Sequence, residues 1–148
     1  MKTMFDAAAR QVLMERFARL SPDRKPLWGR MNCTQMLTHC ADPMRAAMGE
    51  LEVKSNGPWF LSLKLMRHAV IYWFPFPKGA PTAPEFMPPP GGDWAKAMEG
   101  LSAAAARFAA VGENGTLRPH PAFGDISTRD WGYLTWKHLD HHLRQFGA

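Results

Sequence analysis

The stretch Ser127–Gly147, STRDWGYLTWKHLDHHLRQFG, reads as one amphipathic helix. Ser127 stands at the N-cap position, with Asp130 three residues on as its partner for free backbone amides. Gly147 closes the helix. At ~100° per residue, Lys137, Asp140 and Arg144 gather on one side, the expected wet face. Opposite them lie Trp131, Leu134, Thr135, Leu139 and Phe146. His138 and His142 fall among these apolar residues, four apart and only ~40° from each other around the axis.

An inward pair of imidazoles has two readings. Each ring carries a donor and an acceptor that cost roughly 1–3 kcal/mol if buried without a partner. The pair is therefore either a set of hydrogen-bonded core histidines or part of a metal site, because i, i+4 spacing on one face lets two rings reach a single ion. His141, at the flank of the same face, is a supporting residue or an alternative ligand.

Outward from this helix, the 148-residue chain suits one domain, 1–148, with room for a proper core. No apolar run approaches the ~20 residues of a membrane span, and MKTMFDAAARQVLMERF lacks the apolar centre of a secretory leader. A cytoplasmic protein without a membrane partner is expected. The net charge is +5, but Lys and Arg are scattered, with no aromatic-basic stripe, so a nucleic-acid partner is not expected. Cys33 and Cys40 lie seven apart in one expected helix, their Cα atoms ~10 Å from each other and beyond the ~7 Å reach of a disulfide, so they read as free thiols.

In chain order, a first amphipathic helix is expected over about residues 3–20, and a second over about 33–49, with Asn32 and Gln35 as cap and partner. His39 lies at the rim of the second helix's apolar face. Pro43, four residues later, cannot donate to the His39 carbonyl, and a bend there would swing the ring inward. Trp59–Trp73 reads as a strongly apolar helix with His68 at its surface. Residues 74–92 hold seven of the thirteen prolines, which reads as a long loop packed near a pocket mouth rather than helix or paired strand. An alanine-rich helix follows over Asp93–Val111. His120, between prolines, reads as a turn residue bonded to backbone. The expected fold is all-α: a four-helix bundle with a short extra helix or a long proline-rich crossover. Phosphate loops, the Gly-x-Ser-x-Gly elbow and paired Cys-x-x-Cys motifs are missing from the sequence, which argues against several nucleotide, hydrolase and zinc-ribbon functions.

With these helices placed, one histidine in the second and His-x-x-x-His in the last, the chain resembles the DinB-like superfamily of helical bundles. Trp28-Gly29-Arg30-Met31-Asn32 through Met36-Leu37-Thr38-His39-Cys40, Pro77-Lys78-Gly79, His120–Gly124, Trp131-Gly132 and Lys137–Gly147 resemble, more narrowly, a branch of bacterial proteins without an assigned activity. The likeness covers about residues 24–147. It implies a divalent metal, zinc or nickel foremost, held by His39, His138 and His142, and a homodimer. It also implies a small-molecule ligand, a low-molecular-weight thiol activated by the metal, as in thiol S-transferases. Metal-assisted hydrolysis shares the same ligands. The reading from a different class is a non-catalytic binding or scaffold protein with a structural or vestigial histidine cluster. Trp28, Trp131 and the proline-rich loop are candidates to shape the pocket, and Cys40, Asp42, His141 and Gln145 to support the ligands or move protons.

Overall fold

Helix starts follow from side chains that take over free backbone amides. Asp6 accepts from the Ala9 amide to open α1 (Ala7–Ala18). Asn32 and Gln35 cap each other's backbone reciprocally at the start of α2 (Cys33–Ala47). Helix α3 (Lys64–Tyr72) begins without a side-chain cap. Asp93 opens α4 (Trp94–Val111), and Ser127 with Asp130 forms the reciprocal box that opens α5 (Thr128–Gln145). The computed structural model describes residues 1–54, 57–79 and 82–148. Among them the chain is all-helical, with these α-helices, two short 3-10 turns and no strand beyond an isolated bridge between His120 and Gly124.

Two expected elements differ. The helix read over Trp59–Trp73 divides into a 3-10 turn, Trp59–Ser62, and α3, with Leu63 in extended backbone between them. The Ser62 hydroxyl donates to the Trp59 carbonyl at 2.6 Å, a local bond that competes with continuing helix. The proline-rich segment, of which residues 80 and 81 lie outside the described residues, carries one 3-10 turn at Pro84–Phe86. Proline suits the first position of such a turn because its missing N–H would be unsatisfied there anyway. Helix α1 starts later than expected because Thr3–Phe5 lies across α5. Met4 donates its amide to the Gly132 carbonyl at 3.2 Å, and a Cβ on Gly132 would meet the Thr3 hydroxyl at 2.4 Å.

Helix α2 packs most extensively against α4 and also against α5, while α1 and α3 each lie on α5. Leu13, Phe17, Leu37, Phe108, Leu143 and Phe146 are fully buried between them. Each such side chain contributes roughly 1.5–3 kcal/mol relative to exposure. A second cluster, Ile71, Phe123, Tyr133 and Leu134, fills the contact of α3 with α5. Both cysteines are free and buried. No helix among the described residues is long and apolar enough to cross a membrane.

The wet face expected of α5 is mostly covered. Asp140 is buried, accepting from Arg16 of α1 at 2.7 Å and pairing with Arg144. Lys137 donates to the Val70 carbonyl at 2.5 Å and to that of Ile71 at 3.3 Å, supplying the last turn of α3 with a cation. Of the three, only Arg144 remains exposed. Neighbouring helices reach α5 from both sides, so its charged residues became partners rather than solvent contacts.

Candidate metal centre

His39 comes from α2, and His138 and His142 from α5, with His39 and His142 buried and His138 partly so. Their Nε2 atoms form a triangle with every side 3.0 Å. The rim position of His39 is buried by the proline-rich segment, whose Phe86 carbonyl stands 2.7 Å from His39 Nδ1. That contact orients the ring from outside the helix.

The two outer contacts decide where the protons are. A carbonyl oxygen only accepts, so His39 carries its proton on Nδ1 and, in a neutral ring, a lone pair on Nε2. His142 Nδ1 meets Gln145 Oε1 at 2.7 Å, and Gln145 Nε2 donates to the Trp28 carbonyl at 2.7 Å. The second bond fixes which end of the amide faces His142, and so His142 also carries its proton on Nδ1. Gly29 makes the close approach possible: a Cβ there would lie 2.4 Å from Gln145 Nε2, and its φ of +84° favours glycine.

Two lone pairs therefore face each other across 3.0 Å, and His138 has one N–H at most to offer between them. Neutral rings cannot turn all three sides of the triangle into hydrogen bonds. Nor does the environment favour an imidazolium. Burial foremost, then the neighbouring rings, hold His138 well below the usual histidine range and His142 down to about 3. Burial likewise lowers His39. A bound cation takes all three lone pairs at once. Imidazole nitrogens ~2.0–2.1 Å from a tetrahedral ion lie ~3.4 Å apart, a few tenths of an ångström wider than this triangle. His39, His138 and His142 thus lie close enough to hold a metal ion.

The other sequence candidates divide. Gln145, 4 % exposed, and the Trp28 carbonyl form the support just described. The Trp28 ring stands edge-on to His141 with centroids 5.8 Å apart, and His141 in turn lies against His142 at 5.2 Å. Cys40 is adjacent to His39 in sequence but directs its thiol to Met36 Sδ at 3.6 Å, inside the core. Burial raises that thiol well above its ordinary value, so it is no ready nucleophile. Asp42 bonds Arg45 at 3.1 Å. Trp131 lies two helical turns before His138, its indole donating to the Arg118 carbonyl at 3.0 Å and its ring against His120. The structure does not bring Cys40, Asp42 or Trp131 to the triangle. His120 Nδ1 accepts from the amides of Ala122 and Phe123, so it is a turn residue.

Two contributors were missed in the sequence. One is the Phe86 carbonyl. The other is Phe76, whose ring lies 6.2 Å from His138 and 6.0 Å from His141. Lys78 lies over the Trp28 ring at 4.5 Å. All three belong to the proline-rich segment, and its composition was the available signal: a loop made stiff by proline is ordered at lower entropic cost.

A family model described as a protein of unknown function (DUF1569) matches residues 4–148. No curated protein and no solved structure matches the chain.

Proposed function

The chain belongs to the DUF1569 family of proteins of unknown function, and from that premise we propose a divalent-metal protein in which His39, His138 and His142 hold the ion for thiol-transfer chemistry. The observation that carries the metal is the facing pair of lone pairs on His39 and His142, each fixed by an acceptor on its far nitrogen. In the same reading α1, α2, α4 and α5 form a DinB-like four-helix bundle, one domain over 1–148, with α3 as the extra helix. Zinc and nickel suit three neutral imidazoles, and such a site keeps a position open for a ligand.

When bound, a metal held this way lowers the pKa of a thiol or water at its open position, giving a nucleophile near neutral pH. The chain supplies the rest. Phe86 and Gln145 hold two of the rings in the tautomer that presents Nε2. Trp28 and Phe76 flank His141, whose affinity for a proton is lowered by burial and by Arg144, and in this reading it is the proton acceptor. A low-molecular-weight thiol as ligand, a homodimer and a cytoplasmic setting belong to the same proposal, with nucleic acid outside it.

A second reading, a non-catalytic metal carrier or sensor, is favoured by one observation. Asp42, the candidate base in α2, is engaged with Arg45. The test is elemental analysis of wild type against His142→Ala. The wild type should carry a stoichiometric ion that the variant loses, and equal metal content in both would remove the metal site. Loaded protein is then offered thiols with an electrophile. Turnover supports the transferase, and a loaded but inert protein supports the carrier.

A further inference from the structure

Between Glu52 and Glu85 the chain holds no acidic residue, while Lys54, Lys64, Arg67 and Lys78 all fall within it. In the middle of that stretch, Trp59, Phe60, Leu63, Leu65 and Met66 are exposed, Trp59 and Leu65 each at 76 %. A run of large apolar side chains held out in water is costly, at about 25 cal/mol per Å² of apolar surface, and marks a contact surface. Glu85 accepts from the Lys54 amide at 3.0 Å, Asp130 bonds the Tyr72 hydroxyl, and Arg67 donates to the Asp125 carbonyl at 2.6 Å, which leaves Lys64 as the exposed cation within the apolar run.

We infer that the Trp59–Met66 projection docks on an anionic lipid surface, its apolar side chains entering the acyl boundary and the exposed Lys64 and Lys54 meeting phosphate groups. Charge selects this occupant. A two-fold contact with a second copy would set the exposed Lys64 against its own image with no acid in the stretch to offset it. The shape agrees. The apolar residues run through a 3-10 turn, an extended Leu63 and the first turn of α3, rather than along the i, i+3, i+4 stripe that a protein groove reads. A fluid apolar layer needs no such stripe, and tryptophan beside basic residues suits its interface. The absence of a spanning run, which led to the expectation of no membrane partner, does not bear on a surface contact of this kind.

The test is co-sedimentation of the full chain with vesicles of phosphatidylcholine alone and of phosphatidylcholine with phosphatidylglycerol in equal parts. Binding should require phosphatidylglycerol, weaken with salt, and shift tryptophan emission to the blue by an amount that falls in Trp59→Phe. Lys64→Gln should weaken binding about five-fold, the effect of one cation near an anionic surface. Leu65→Asp, at an exposed position that leaves the fold intact by circular dichroism, should abolish it. Absence of binding at low salt, or equal binding to both vesicles, would overturn the inference. So would a dimer in light scattering that Leu65→Asp dissociates in the absence of lipid, which would make this face a contact between copies.

Discussion

Replacing Gln145 with alanine removes one side chain and two bonds of 2.7 Å, one that holds the His142 ring and one that ties α5 to the segment before α2. His142 would then be free to carry its proton on either nitrogen and to turn about its χ2, so the lone pair on Nε2 is no longer guaranteed. Loss of a partner that orients a ligand typically costs 10–100-fold in metal affinity, about 1.4–2.7 kcal/mol. The Trp28 carbonyl also loses its donor, and a lost hydrogen bond of this part-buried kind costs about 0.5–1.5 kcal/mol of folding stability. Gln145→Glu separates these effects. Its carboxylate still accepts from His142 Nδ1 but sets an oxygen against the Trp28 carbonyl, so stability should fall while zinc affinity is kept. Affinity is read by competition with a chromophoric zinc chelator and stability by urea unfolding. Zinc bound as tightly by Gln145→Ala as by wild type would refute the argument that this amide fixes the ring.

Two further outcomes follow from burial. The His120 imidazole is pushed down to about 3, so between about pH 6.5 and pH 3 the unfolded chain binds a proton that the folded chain refuses. Stability should therefore fall with acidification through that window, by at most about 1.4 kcal/mol per pH unit for this ring, and level off below it. His120→Asn keeps an acceptor for the Ala122 and Phe123 amides, and urea midpoints across that window should show a shallower slope. An unchanged slope would count against the assignment. Burial raises the Cys33 thiol to about 11 and the Cys40 thiol well above its ordinary value. Neither should react with an aromatic disulfide reagent at neutral pH until the protein is unfolded. Rapid labelling of native Cys40 would place that thiol somewhere other than the core.

The local parts of this structure were legible in the residues. Ser127 with Asp130 and Asn32 with Gln35 announced two helix starts through interactions spanning three residues, and the placement of His138 with His142 needed only the period of a helix. What escaped depends on distant chain. His39 is buried at a rim because Phe86, 47 residues later, covers it, while Pro43 lies within the span of α2. Asp140 is dry because Arg16, 124 residues earlier, reaches it. The Trp59–Trp73 stretch misled for another reason. Apolar content signals burial only when something lies across it, and here Trp59 and Leu65 face out.

The triangle joins α2 to the far end of the chain, since its corners lie 99 and 103 residues apart along the backbone. An ion gripped there closes a loop of most of the molecule, as a cross-link would, and its binding free energy adds to that of folding. Metal supply and thermal endurance then become one variable. A protein that held an ion in this way would report the cation available to it through how readily it melts.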